Sequence, residues 1–216
     1  MIAMILAAGH GERLRPVTDT IPKALVEVRG ESLLERHLRA VSAAGVDTVV
    51  VNLGRLGDQI VERVGSGLRY GLNVVYSPEG NDILETGGGI HRALPVLGDQ
   101  PFLVINADIF TDMPFPTEPL GDNDIAHLVL VPTPAHKIAG DFDLIEGRVC
   151  NGHNAEFTFS GVAVYRPEFF ADCTPGRFSL VPMLRAAADA GRLRGSIYFG
   201  LWRDVGTPER LTELNA

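Results

Sequence analysis

Cysteine is nearly missing from this chain of 216 residues: Cys150 and Cys173 stand apart, with no Cys-x-x-Cys pair. A disulfide framework is therefore not expected, and the sparing use of thiols fits a cytoplasmic location. Long apolar runs are missing too. The opening stretch MIAMILAAG has no basic leader, and its apolar segment is far too short for a signal-peptide core or a membrane span. Runs of basic residues are also absent. Lys and Arg number 19 against 27 Asp and Glu, a formal net charge of −8, and the cations are scattered. Neither nucleic acid nor an anionic membrane is then expected as the principal partner. An acidic chain that does bind a polyanion needs a metal ion or a local basic pocket. No repeat, low-complexity tract or linker divides the sequence, and 45% hydrophobic content supplies a sizeable core, so residues 1–216 read as a single domain.

Familiar catalytic arrangements are missing as well. His10, His37, His91, His127, His136 and His153 show no metal-ligand spacing. No Ser-His-Asp or Cys-His arrangement stands out, so a covalent enzyme intermediate is not expected.

What is present is an α/β rhythm. Ile2 to Ala7 reads as a buried strand. Ser32-Leu33-Leu34-Glu35 reads as a capping box opening a helix that ends at Gly45. A β-branched strand at 47–52, a short helix at 57–64, a strand at 73–76, a glycine-rich loop and helix at 85–94 and a strand at 102–106 continue a series of βαβ units. Beyond about residue 112 the pattern predicts strands at 126–131 and 156–165, a hairpin turning at Glu146-Gly147, and a helix at 178–190. A strand at 196–202 and a terminal helix capped by Thr207-Pro208 follow. The expected architecture is a mostly parallel mixed sheet flanked by helices.

Ligands of open α/β sheets bind beyond the carboxyl ends of the strands, and polar motifs stand at three such ends. The first is the segment Leu6 to Leu25, LAAGHGERLRPVTDTIPKAL. It is not a Walker A loop, because Glu12 and Arg13 follow Gly11 where Lys and Ser or Thr are required. Nor is it a dinucleotide fingerprint: Leu14 takes the place of the third glycine, and Pro16 and Pro22 oppose a helix there, which argues against a nicotinamide-dependent oxidoreductase. Small residues at Ala7, Ala8, Gly9 and Gly11 still let backbone N–H groups approach phosphate, and Arg13, Arg15 and Lys23 supply the matching charge. The second end is Asn106-Ala107-Asp108, where a carboxylate is placed to hold a hard cation that bridges phosphate oxygens. The third is Asp204, which lies before the Thr207 cap and is free for another task. Spacing alone leaves open whether Asp108 and Asp204 meet.

Taken together, the opening segment, Asn106-Ala107-Asp108 and Trp202-Arg203-Asp204-Val205-Gly206-Thr207-Pro208-Glu209 resemble the sugar-1-phosphate nucleotidyltransferases over essentially the whole chain. The resemblance implies a Rossmann-like nucleotidyltransferase fold, Mg²⁺ as cofactor, and a reaction that joins a nucleoside triphosphate to a sugar 1-phosphate and releases pyrophosphate. Carried over to this sequence, Ala7, Ala8, Gly9, Gly11, Glu12 and Arg13 embrace the triphosphate, Lys23 contacts phosphate, and Arg13 and Lys23 serve catalysis. Asp108 and Asp204 hold the metal, Glu79 and the Gly87 region read the base, and Asn106 and Asp141 hold the sugar. Leu84-Glu85-Thr86-Gly87-Gly88-Gly89 departs from the Leu-Gly-Thr pattern of glucose and mannose enzymes. With Ser77-Pro78-Glu79-Gly80 and Gly140-Asp141-Phe142, it resembles the branch that uses UTP and N-acetylmuramic acid 1-phosphate in cell-wall recycling. His136 and Lys137 are candidate cations for the acid of that sugar. The chain ends without the β-helix of several relatives and so resembles a stand-alone catalytic domain. Alternatives are a glucose or mannose 1-phosphate enzyme, more distantly a choline-phosphate cytidylyltransferase, and a noncatalytic sugar-nucleotide sensor. Ala107 stands where many relatives have glycine, a change the site is expected to tolerate.

Overall fold

The computed structural model describes residues 1–80, 84–116, 118–153 and 155–216. In chain order the strands are β1 (Ile2–Leu6), β2 (Glu27–Val28), β3 (Glu31–Ser32), β4 (Thr48–Leu53), β5 (Asn73–Pro78), β6 (Phe102–Asn106), β7 (Ile109–Thr111), β8 (Ala126–Pro132), β9 (Asp143–Ile145), β10 (Arg148–Cys150), β11 (Phe157–Tyr165), β12 (Leu193–Ile197) and β13 (Trp202–Asp204). The α-helices are α1 (Leu33–Ala43), α2 (Gly57–Val64), α3 (Glu85–Leu97), α4 (Val181–Asp189) and α5 (Pro208–Asn215). Nine strands form one sheet in the order β5-β4-β1-β6-β11-β8-β12-β10-β9. From β5 to β6 every pairing is parallel, whereas β11 runs antiparallel to both β6 and β8. The two halves differ in connection: helical crossovers join the parallel strands, and the β9–β10 hairpin turns at Glu146 and Gly147, both at positive φ.

Alternation along the strands divides the core into two layers. Ala3, Ile5, Val49 and Val51 face α1 and α2 through Leu34, Leu38, Val41 and Ile60. Met4, Val50 and Val104 face the other way, onto Ile90, Ala93 and Leu184 of α3 and α4. A third, smaller cluster lies apart: Leu14, Val26, Val28, Leu33, Phe110, Val205 and Leu214. Among the described residues no helix is long and apolar enough to cross a membrane.

Three expectations are revised. The run Gly87-Gly88-Gly89 lies inside α3 instead of in a loop before it. The expected strand at 196–202 is two strands: β12 pairs in parallel with β8 in the main sheet, and after a break β13 pairs with β7 in a separate ribbon. The break is held by Asp112, whose carboxylate accepts from the Tyr198 hydroxyl and from the Leu201 N–H. The helix expected at 178–190 begins only at Val181, because the backbone of Phe178 is engaged elsewhere, as described below.

Candidate active site

The segment after β1 carries no α-helix. It folds as 3-10 turns at Glu12–Leu14, Val17–Asp19 and Lys23–Leu25. Gly11 adopts φ 63°, and a Cβ there would lie 2.8 Å from Thr18 Cγ2 and 3.1 Å from Lys23 Cβ. Only glycine fits without strain. The Thr18 hydroxyl donates to the Gly11 carbonyl at 2.8 Å, fastening the loop from inside, and Arg55 donates to the Thr18 carbonyl at 2.7 Å. Gly9 is different: a Cβ on it would meet no protein atom within 4 Å. Packing does not demand glycine at position 9, but a bare backbone facing the cavity lets a ligand approach closely.

That cavity, of about 580 Å³, is bordered by Ala7 to Arg13, Lys23, Asn52, Glu79, Asn106 and Asp108. Arg13, Lys23 and the small residues of the loop all border it. Lys23 is mostly buried, and its Nζ lies 2.5 Å from Asp108 Oδ2. The buried Asn52 bridges two segments of the wall: its Oδ1 accepts from Ala7 N–H at 2.6 Å and its Nδ2 donates to Glu79 Oε1 at 2.6 Å. Glu79 is 6% exposed, and its second oxygen accepts from Leu84 N–H at 2.9 Å. Both carboxylate oxygens of Glu79 therefore have protein partners. Gly87 lies beneath Phe178 and donates its N–H to the Phe178 carbonyl at 3.0 Å, so it does not border the cavity.

The two aspartates are brought together by the β7–β13 ribbon, which sequence spacing could not show. Ile109, next to Asp108, is paired with Asp204, and Val205 N–H donates to the Asp108 carbonyl at 2.8 Å. Trp202 orients this ribbon, because its indole N–H donates to the Ser160 carbonyl at 2.9 Å at a bulge in β11. Trp202 and Asp204, two apart on a strand, share a face. At the same bulge Gly161 takes φ 83°, and a Cβ there would press on Asn106 at 2.7–2.9 Å. The glycine thus leaves room for the Asn106 amide at the cavity edge. Ala107 is 3% exposed, and its methyl packs in the core beneath the site.

Asp141 stands outside the cavity wall. It accepts from Phe159 N–H at 2.9 Å and pairs with Lys137 at 3.2 Å, while the neighbouring His136 Nε2 lies 3.8 Å from Asp204 Oδ1. The segment 133–141 therefore reaches from β8 to the aspartate ribbon. Arg210 on the first turn of α5 pairs with Asp204 Oδ2, and Arg13 Nη2 comes within 3.6 Å of the place a Gly206 Cβ would occupy. Among the described residues no three His, Cys, Asp or Glu side chains converge as a metal cage. Asp108 borders the cavity and Asp204 lies against Gly206, which also borders it, and two carboxylates beside a phosphate-sized space fit a hard cation such as Mg²⁺.

Sequence reasoning missed Asn52, Arg177 and Arg210. Asn52 is a polar residue at the carboxyl end of β4, one residue before its last, and so carries the kind of signal that singles out Asp108. Arg177, which borders the cavity and pairs with Glu85 at 2.8 Å, lies in a segment with no sequence pattern of its own. Arg210 looked like an ordinary first-turn helix residue.

Residues 3–129 match the model of the MobA-like NTP transferase domain. Over its full length the chain is 46% identical to the N-acetylmuramate alpha-1-phosphate uridylyltransferase of Neisseria meningitidis serogroup B, of which it covers 97%. It is 36% identical to the enzyme of the same name from Caulobacter vibrioides, over 96% of this chain and 93% of that one. Among solved structures, UDP-glucose pyrophosphorylase complexed with UDP-glucose superposes with a TM-score of 0.76 at 17% identity, over 99% of this chain and 96% of the other. That last likeness concerns the fold alone.

Proposed function

Because the chain belongs to the sugar-1-phosphate nucleotidyltransferases and carries their MobA-like NTP transferase domain, we propose that it transfers a uridylyl group from UTP to N-acetylmuramic acid 1-phosphate. The products are the UDP-sugar and pyrophosphate, and the role is in peptidoglycan recycling. The observation that supports this reading is that the open Gly9–Arg13 loop, Lys23 and Asp108 border one cavity while the β7–β13 pairing sets Asp204 beside Asp108, in a chain with full-length uridylyltransferase relatives.

The chemistry needs no general base. A phosphate monoester has its second pKa at about 6, so at neutral pH the sugar phosphate is largely a dianion with a ready nucleophile. Its oxygen attacks the α-phosphorus in line. A new P–O bond forms as the bond to the β-phosphate breaks, and the electron pair leaves with pyrophosphate. Backbone N–H groups around Gly9 and Gly11 cradle phosphate oxygens, and Lys23 and Arg13 offset the charge gathered there. Asp108 and Asp204 would hold Mg²⁺, which would lower the cost of bringing the anions together. Asn106 faces the sugar, which must extend past the cavity wall to reach Asp141, and Glu79 with Thr86, the neighbour of Gly87 that borders the cavity, faces the uracil.

The test is pyrophosphate release with four nucleoside triphosphates crossed against a panel of sugar 1-phosphates, followed by competition. N-acetylmuramic acid 1-phosphate is expected to outcompete N-acetylglucosamine 1-phosphate with UTP. Equal or greater use of the latter sinks the muramate assignment, while absence of pyrophosphate release with every pair sinks the transferase.

A further inference from the structure

Each of the two aspartates faces a cation supplied by the chain itself. Lys23 Nζ lies 2.5 Å from Asp108 Oδ2, and the Arg210 guanidinium sits on Asp204 Oδ2 with His136 Nε2 3.8 Å from the other oxygen. Neither cation is a loose surface side chain. Lys23 is 12% exposed, with its stem against Gly11, and Arg210 is 23% exposed on a helix turn capped by Thr207. Gly206 marks where this arrangement meets the cavity: a Cβ there would lie 2.9 Å from Asp204 Oδ2 and 3.0 Å from Arg210 Nη1, and Gly206 itself borders the cavity.

We infer that Arg210 is a positioning residue which, together with Lys23, keeps the carboxylates of Asp108 and Asp204 closed to a bare divalent cation. The cation enters only in company with phosphate oxygens. The inference rests on Asp108 and Asp204 being the ligands of that cation. Mg²⁺ or Mn²⁺ bonded to a carboxylate oxygen at about 2 Å stands within a few ångströms of any ammonium or guanidinium already on that carboxylate, and like charges at that distance repel strongly. An incoming triphosphate removes the conflict. Its oxygens would give Lys23 a new partner and bring the negative charge that offsets the repulsion between the metal and the two cations, so Lys23 can leave Asp108 while Arg210 stays. Arg210, fixed on its helix, holds Asp204 at the edge of the cavity throughout the exchange.

The experiment titrates Mn²⁺ alone into the full chain, without nucleotide, and reads the free Mn²⁺ signal by electron paramagnetic resonance. Arg210→Gln is expected to bind Mn²⁺ about tenfold more tightly than the parent, since one neutralising charge is gone. Arg210→Lys should behave like the parent, and adding Asp204→Asn to Arg210→Gln should abolish the gain. Equal or weaker Mn²⁺ binding by Arg210→Gln, or no Mn²⁺ site in either protein, overturns the inference. Should Arg210→Gln lose its cooperative urea transition, Lys23→Met gives the same reading at Asp108, with the same two outcomes. Pyrophosphate release by the parent is measured separately. A Mn²⁺ gain without transfer sinks only the proposed activity, and transfer without a Mn²⁺ gain sinks only the role of Arg210.

Discussion

Lys23 holds two positions at once: its stem packs against Gly11 in the loop, and its ammonium meets Asp108 from the end of β6. The first contact is local, but the second crosses 85 residues of sequence. Truncating the side chain leaves Asp108 about one-third exposed, so water compensates the lost partner, and the cost to stability should be only about 1 kcal/mol. On the proposed function the same truncation removes a charge beside the phosphates, where such a group lowers the barrier by about 3 kcal/mol. Lys23→Ala is therefore expected to lower kcat by a hundredfold or more while its urea midpoint barely moves. A parent-like kcat with a clearly lower midpoint would make the lysine structural. Lys23→Arg should restore only part of the rate, because a planar fork does not replace a compact ammonium.

At the scale of the element, α3 sets two rules against each other. Glycine inside a helix is less favourable than alanine by roughly 0.5–1 kcal/mol, so Gly88→Ala ought to stabilise. Yet a Cβ on Gly88 would lie 2.1 Å from the Gly176 carbonyl oxygen, and one on Gly87 would lie 2.4 Å from the Phe178 ring. The obstacle at Gly88 is backbone, which cannot swing aside. Gly88→Ala is expected to destabilise by about 1–3 kcal/mol in urea unfolding, and a gain in stability would mean that the segment 176–178 does not seat on α3 as described. The same contact explains which parts of the fold were legible in the sequence. Ser32 caps α1 and Thr207 caps α5 as their local patterns indicate, since a cap depends on residues three apart. Gly87-Gly88-Gly89 reads locally as a loop, and only the distant Gly176 and Phe178 make it a helix. The aspartate ribbon was hidden for a similar reason: β7 and β13 are three residues each, too short for any periodicity, and only their pairing brings Asp108 and Asp204 together. The resemblance names Glu79, which borders the cavity, but its burial and its two partners are not legible in the sequence, because Asn52 and Leu84 come from other segments.

Over the whole molecule, two buried groups should govern acid stability. Burial lowers the pKa of His37 from 6.5 to about 4, opposed by the Ile109 carbonyl and Asp108. For Glu35, burial acts to raise the pKa, but hydrogen bonds from Arg63, Ser32 and Tyr70 prevail and bring it from 4.5 to about 2. Both folded-state values lie below the unfolded ones, so each contribution is complete above the unfolded pKa and is lost as pH falls through the folded one. His37 accounts for the window from 6.5 to about 4, and Glu35 for that from 4.5 to about 2, each of order 3 kcal/mol. The urea midpoint of the parent is expected to fall across both windows, and His37→Leu should flatten the upper one while leaving the lower. A parent midpoint that stays level between pH 6.5 and 4 would rule out a buried neutral His37. Beyond stability, the third apolar cluster fixes the timing of competence. Leu14 follows Arg13, Phe110 lies two residues past Asp108, and Val205 follows Asp204, so one small cluster steadies all three parts of the site, and Leu214 of α5 completes it. α5 is tied down further by Asn215, whose side chain accepts from Arg29 N–H at 2.7 Å. During translation the Gly9–Arg13 loop and the parallel strands emerge before the segment around Asp204 and the Leu214 that completes its packing. A ribosome-bound chain short of residue 214 should already be largely folded in its parallel half and still be unable to turn over substrate.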